Sequence, residues 1–265
     1  MKQLKPRYVL KWFVQFWRSF LAAIIFYTCL PLPRIEGLRF DRLARFAPAI
    51  GLLLGLLLSF ADGGLQICRM PVLSRSALVV ALWIFVTGGL HLDGAMDTAD
   101  GLAVPDRDRR LQVMQDSCSG AFGVMAAIVI FSLKTLALSE MLSFRGLGLI
   151  LAAGWGRWGQ VMAIALYPYL KVAGKGAFHK QNLRCPQDAI GGLLLLVGMS
   201  LLHISLSGEK WEVAACAAIA GLILAIAIGY WFNRQLGGQT GDTYGAIVEW
   251  TETFYLCVFA LLSHW

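Results

Sequence analysis

The chain has 265 residues, of which 58% are hydrophobic and only 15% are charged. Ordinary soluble domains contain about 45–50% apolar and about 25% charged residues, so this composition excludes a soluble single-domain protein. The net charge of +7 is compatible with nucleic acid, an anionic membrane surface or a phosphorylated substrate, and the positions of the charges decide among them. The six cysteines form no CxxC pair, which argues against a zinc site or a disulfide framework.

Apolar runs long enough to cross a membrane recur along the whole chain, because a spanning helix needs about 20 mainly apolar residues. A shorter run at 19–33 contains Pro31 and Pro33, and it is expected to lie in the interface or to re-enter the membrane. No repeat or linker divides the sequence, so we expect one all-α domain over residues 1–265. This domain is predicted to be a polytopic helical membrane bundle of about seven transmembrane helices plus the N-terminal segment. The seven predicted spans are 46–61, 77–92, 121–139, 147–168, 189–206, 213–232 and 246–263.

Basic residues are distributed unequally between alternate loops. Four loops hold 12 Lys and Arg, and the three loops between them hold 4. By the positive-inside rule the four loops with 12 basic residues should face the cytoplasm. Five more basic residues precede residue 19, which conflicts with a full crossing by 19–33, and no convincing cleavage site indicates a removable signal peptide. The four loops with 12 basic residues are 34–45, 93–119, 171–188 and 233–244. The three loops with 4 are 62–76, 140–146 and 207–212.

The densest polar segment, residues 91–101, follows the second predicted span directly. Asp93, Asp97 and Asp100 are spaced i, i+4 and i+7, so on a helix the three carboxylates share one face. Like charges at this spacing destabilise a helix, and the end of the preceding span would add further negative potential. A positive group is therefore expected to compensate them.

The chain supplies no such group locally, because residues 76–106 contain no Lys or Arg. An uncompensated carboxylate cluster at a membrane surface indicates a divalent cation, and oxygen ligands favour Mg²⁺ or Mn²⁺ over zinc. Phosphoryl transfer commonly uses such a site. A solvated acidic helix end is the alternative explanation. His91 is a candidate general base or a polar residue at the membrane boundary.

Two further segments carry candidate site residues. In residues 114–123, Asp116 and Ser117 are candidates to cap the third span or to approach a phosphate. The glycine-rich segment 237–246, which includes Thr240, opens the last span and is suited to bind an anion through backbone N–H groups. In that segment Asp242 is a candidate metal ligand or helix cap.

Ionisable residues also occur inside apolar spans, where they are costly and usually functional. Glu249 and Glu252 lie in the last span and Arg157 lies in the fourth. Arg157 is a candidate to bind substrate phosphate or to pair with a carboxylate. Lys175 lies in a basic loop that serves either phosphate binding or membrane topology.

The three polar segments together resemble the cobalamin synthase family, adenosylcobinamide-GDP ribazoletransferase. The family pattern is approximately GGxHxDGxxDTxDG, then MxDSxxGxxG, then GGxTGDxxGA. Residues 88–101, 114–123 and 237–246 match these motifs in order. The chain departs from the pattern at Cys118, where many relatives have a basic residue, and at Gly156, where a serine often precedes the arginine.

The resemblance implies an Mg²⁺-dependent enzyme of the bacterial cytoplasmic (inner) membrane with its active-site loops facing the cytoplasm. It would join adenosylcobinamide-GDP to α-ribazole or α-ribazole 5′-phosphate and release GMP, with no nucleic acid partner, and it is compatible with a homo-oligomer. Asp93, Asp97 and Asp100 would hold the metal and act in catalysis together with His91. The residues expected to bind substrate are Asp116, Ser117, Arg157, Lys175, Thr240, Asp242 and Glu249.

Two other functions fit parts of the sequence. A CDP-alcohol phosphotransferase also has clustered aspartates, but its DGxxAR pattern is not met, because Asp93-Gly94 is followed by Met96-Asp97 without an Ala-Arg pair. A divalent-cation transporter would carry its site near the bilayer midplane, whereas this cluster is predicted at a membrane end.

Overall fold

A computed structural model describes residues 6–33, 35–116, 118–141, 143–171, 174–207 and 211–264, with the backbone alone for 6–12, 175 and 203–207. This part of the chain contains eleven α-helices and no β-strand. The helices are α1 (Pro6–Tyr27), α2 (Ala47–Ile67), α3 (Val72–Val86), α4 (Leu90–Ala103), α5 (Arg107–Val113), α6 (Ala121–Glu140), α7 (Arg145–Leu166), α8 (Lys175–Asn182), α9 (Gln187–Ser207), α10 (Trp211–Leu236) and α11 (Gly241–Leu262).

The predicted polytopic helical bundle is confirmed. Helices α2, α6, α7, α10 and α11 are each long and apolar enough to cross a membrane, and the count reaches seven if two bent pairs are each one span. These pairs are α3 with α4, bent by 91°, and α8 with α9, bent by 97°. At the centre of the bundle, Gly51 and Gly55 of α2 bring its backbone against the backbone of α7, as small residues four apart do in packed membrane helices.

The bundle has two chemically different ends. At one end, Asp62 near the end of α2 pairs with Arg145 at the start of α7 and with Arg75 of α3. At the other end lie the starts of α6 and α11, the whole of α4, and the chain that follows α7. We call this second end the site end. The four loops with the larger number of basic residues all lie at the site end.

The second predicted span ends earlier than expected. The pattern predicts a span over 77–92, but α3 stops at Val86 and the chain turns through Gly88 and Gly89, which have positive φ values of 61° and 68°. Glycine adopts this left-handed conformation without steric cost. The expectation that the aspartates follow the C-terminal end of a span is therefore wrong, because they belong to a separate helix with Asp93 in its first turn.

The N-terminal segment 19–33 comprises the last part of α1 and an irregular stretch, and its partners lie at the site end. Phe16 and Phe20 pack edge to face on Phe46 at the start of α2. Farther on, the Cys29 backbone N–H donates to the Val86 carbonyl at 2.7 Å. These contacts are consistent with the interfacial or re-entrant interpretation, since none of them lies at the opposite end.

Candidate active site

Helix α4 lies across the starts of α6 and α11 at the site end, and glycines make this crossing close. A Cβ atom at Gly94 would lie 2.6 Å from the Asp242 carbonyl oxygen, and one at Gly245 would lie 2.9 Å from the His91 carbonyl oxygen. Only glycine leaves room for two helix backbones at this separation. The crossing places the aspartate face of α4 beside the glycine-rich start of α11.

Asp100 is bound to the start of α6. Its carboxylate accepts hydrogen bonds from the Gly120 N–H at 2.7 Å and the Gly123 N–H at 2.8 Å. The N-cap residue Gly120 has no side chain to satisfy these donors, so a residue 20 positions earlier supplies the cap. The prediction that Asp116 caps this helix is wrong, because its carboxylate accepts instead from the Cys118 N–H at 3.1 Å.

The remaining carboxylates lie close enough to repel one another. Partial burial, and then the charges of Asp93, Asp242 and Asp100, raise the pKa of Asp97 to about 6. One cation offsets part of this charge, because the Lys171 ammonium donates to Asp242 at 2.9 Å. An excess of negative charge therefore stays on this surface.

A cavity of about 250 Å³ opens beside these carboxylates. Asp93, Asp242 and Lys171 border it, and His91 lines it. His91 is only 2% exposed, and neither of its ring nitrogens has a hydrogen-bond partner among the described residues. The arrangement combines a charged border with a neutral, buried interior.

The available donors are carboxylate oxygens, which suit Mg²⁺ or Mn²⁺ better than zinc. Among the described residues, no three His, Cys, Asp or Glu side chains form a group that could hold a metal ion by themselves. Mg²⁺ is usually bound by one or two carboxylates, with water and substrate phosphates completing its coordination. One or two carboxylates from among Asp93, Asp97 and Asp242 would meet that requirement, whereas both oxygens of Asp100 are bound to α6.

The other predicted site residues are distributed around this centre. Thr240 is the N-cap of α11 and forms a capping box with Thr243, with its hydroxyl accepting from the Thr243 N–H at 3.2 Å. This hydrogen bond fixes the loop that presents Asp242. Ser117 lies outside the described residues, and of Lys175 only the backbone, which begins α8, is described.

Arg157 and Glu249 do not line the cavity. Arg157 is fully buried and donates to Glu252 at 2.5 Å, and Lys134 of α6 donates to Glu249 and Glu252 at 2.6 Å each. Two cations and two anions therefore form a neutral network inside the bundle. Of the two interpretations that the sequence leaves open for Arg157, the structure favours the ion pair with a carboxylate.

Sequence reasoning missed several of the residues that matter here. Lys134 could have been found, because it is an ionisable residue inside an apolar span. Lys171 belongs to the basic loop for which the sequence leaves phosphate binding and membrane topology both open, and its contact with Asp242 is visible only in the structure. His179 lines the cavity and Tyr27 packs beside it and His91. Both residues come from segments without a motif, so only the fold brings them together.

Comparison with known proteins gives one consistent result. The family model described as cobalamin-5-phosphate synthase matches residues 19–260. Proteins named adenosylcobinamide-GDP ribazoletransferase from Trichormus variabilis and Synechococcus sp. are 57% and 52% identical to this chain. The alignments cover 92% and 93% of this chain and 97% and 98% of the relatives. A relative of the same name from Thermosynechococcus vestitus is 47% identical over 93% of this chain and 98% of its own length. No solved structure matches.

The chain therefore belongs to the cobalamin-5-phosphate synthase family. The predictions of a family resemblance and of a transferase in cobalamin synthesis are confirmed.

Proposed function

We propose that this member of the cobalamin-5-phosphate synthase family is an Mg²⁺-dependent membrane transferase acting at the site end of the bundle. The substrates are adenosylcobinamide-GDP and either α-ribazole or its 5′-phosphate. The printed names of the relatives support the donor and the ribazole acceptor. The observation that carries the proposal is the close crossing of α4 and α11, which sets Asp93 and Asp97 beside Asp242 and Lys171.

The reaction is a displacement at phosphorus. The α-ribazole hydroxyl oxygen forms a bond to the phosphorus attached to cobinamide, and the bond from that phosphorus to the bridging oxygen breaks. GMP leaves with the bridging oxygen and its electron pair, and the hydroxyl proton passes to solvent. The products are the cobalamin, or its 5′-phosphate, and GMP.

The chain's own residues supply position and charge for this reaction. One or two carboxylates from among Asp93, Asp97 and Asp242 would hold Mg²⁺, which would neutralise the pyrophosphate and stabilise the leaving phosphate when it is bound. Lys171 uses one of its three hydrogens on Asp242 and has two more to donate to phosphate oxygens. Its exposed fraction of 25% leaves it accessible to a phosphate at the cavity border.

The test is GMP release by the purified, detergent-solubilised protein with adenosylcobinamide-GDP, with and without α-ribazole and Mg²⁺. We expect GMP and a cobalamin product only when α-ribazole and Mg²⁺ are both present. Asp97→Asn should abolish this turnover at all Mg²⁺ concentrations without loss of the folded bundle, because it removes a charge and no packing. Turnover by wild type without metal, or by Asp97→Asn at the wild-type rate, would contradict the metal role. A folded wild type that releases no GMP with any divalent metal would overturn the proposed reaction.

We also propose that the site end faces the cytoplasm of the bacterial inner membrane, because its loops carry the larger number of basic residues. Two exposed native cysteines report on this orientation, with Cys118 at the site end and Cys68 at the opposite end. In variants that keep one of them, an impermeant maleimide should label Cys118 from the cytoplasmic side and Cys68 from the other side. The reverse pattern would refute the orientation.

A further inference from the structure

The inner end of the cavity gathers buried polar atoms that the protein itself does not satisfy. The ring nitrogens of His91 and His179, the Gln160 amide oxygen and the Tyr244 hydroxyl have no hydrogen-bond partner among the described residues. All four side chains line the cavity, and each residue is no more than 6% exposed. The buried Tyr27 hydroxyl, beside both histidine rings, is also without a partner in this part of the chain.

Such atoms are rare in folded proteins, because burying a polar group without a hydrogen bond costs free energy. Five residues with such atoms lie together here, and a structural role alone does not account for them. A polar ligand that enters the cavity would satisfy several of them together.

The chemistry of these atoms defines the ligand. A buried imidazole with no carboxylate partner is neutral, and it offers one donor and one acceptor. Gln160 offers an acceptor through its unpartnered oxygen, and the Tyr244 hydroxyl can donate or accept. The charged side chains Asp93 and Lys171 stand in the more exposed part of the cavity. The inner end is therefore suited to an uncharged group that has both donors and acceptors.

The shape indicates a flat ligand. The Tyr27 ring lies nearly parallel to His91, at 23° and 6.5 Å, and to His179, at 15° and 6.3 Å. Phe26 meets His179 edge to face at 4.9 Å, and all these rings are held by mutual packing. The volume of about 250 Å³ is below the range of about 300–1,000 Å³ for drug-sized ligands. A volume of this size is closer to that of one bicyclic base than to that of a whole corrinoid nucleotide.

We propose that this cavity binds the planar nitrogen heterocycle of a nucleoside, with the base inside and the sugar and phosphate directed to the charged border. This inference rests on the proposed function, which brings two such heterocycles to the enzyme. They are the guanine of the donor and the benzimidazole of α-ribazole. The shared chemistry is a flat, uncharged ring system with nitrogen atoms at its edge.

The experiment measures equilibrium binding of GMP and of α-ribazole, separately, by titration calorimetry of the detergent-solubilised protein with Mg²⁺. The variant Gln160→Leu removes the amide group and Tyr244→Phe removes one hydroxyl, and both residues line the cavity. Each change nearly preserves the side-chain volume. Tyr255→Phe is the matched control, since Tyr255 is buried in the central core away from the cavity. Thermal midpoints of all three variants establish that they are folded.

We expect at least one of the two ligands to bind Gln160→Leu and Tyr244→Phe about 3- to 10-fold more weakly than wild type, as the loss of one hydrogen bond predicts. Weaker binding of GMP alone identifies the donor base as the occupant, and weaker binding of α-ribazole alone identifies the acceptor base. If both ligands bind both variants as tightly as they bind Tyr255→Phe, the proposal is overturned. GMP release by wild type tests the proposed reaction separately, so the two failures are distinguishable.

Discussion

Asp100 provides the sharpest test, because the sequence predicts a metal ligand and the structure shows a helix cap. Its carboxylate accepts two backbone hydrogen bonds at the start of α6. In Asp100→Ala the buried Gly123 N–H would lose its partner, which costs about 1–3 kcal/mol. The loss at the partly exposed N-cap Gly120 adds about 1 kcal/mol. The free energy of unfolding should therefore fall by about 2–4 kcal/mol.

The assay compares thermal stability with the Mg²⁺ dependence of GMP release in Asp100→Asn and Asp97→Asn. Asp100→Asn retains one acceptor oxygen, so we expect lower stability and an unchanged Mg²⁺ concentration for half-maximal turnover. Asp97→Asn should show the opposite, with lost turnover and no loss of stability, because it removes a charge that its neighbours repel. Wild-type stability in Asp100→Ala would refute the cap, and an increased Mg²⁺ requirement in Asp100→Asn would return this residue to the metal site.

Three other variants test the remaining parts of the structure. Lys134→Met leaves the buried Glu252 short of one cation and should lower the free energy of unfolding by about 3–5 kcal/mol, measured by denaturation in detergent; an equally stable variant would contradict the network. Gly94→Ala should separate α4 from α11 and reduce turnover by about 100-fold, whereas Gly63→Ala, which has open space around it, should leave turnover unchanged. Lys171→Gln should raise the KM for the donor about tenfold through a lost charge-assisted hydrogen bond, and an unchanged KM would remove Lys171 from phosphate binding.

The features that the sequence predicts well depend on local patterns. The long apolar runs become helices because each run buries its backbone hydrogen bonds within itself. The three aspartates Asp93, Asp97 and Asp100 do lie on one helix, as their spacing allows, and the loops rich in basic residues do gather at one end. The break after α3 was not predicted, although two successive glycines, Gly88 and Gly89, interrupt the apolar run there.

The features that the sequence could not supply depend on distant partners. Asp100 is separated by 20 and 23 residues from the N–H groups it binds, and Lys134 by 115 and 118 residues from its two glutamates. No spacing rule connects such pairs, since only the crossing of the helices decides which carboxylate reaches which donor. The division of three similar aspartates into one cap and two candidate metal ligands therefore emerges only in three dimensions.

The buried ion network connects the three helices that position the candidate site. Lys134, Arg157 and Glu252 join α6, α7 and α11 in the interior of the bundle. Each of these helices contributes at the site end, where α6 is bound by Asp100, α11 begins at the Asp242 loop, and the chain after α7 leads to Lys171. A buried pair contributes little net stability, but breaking it is costly, so it disfavours any shift of one helix against another. The buried charges therefore hold in register the helices that place the candidate site's carboxylates and lysine.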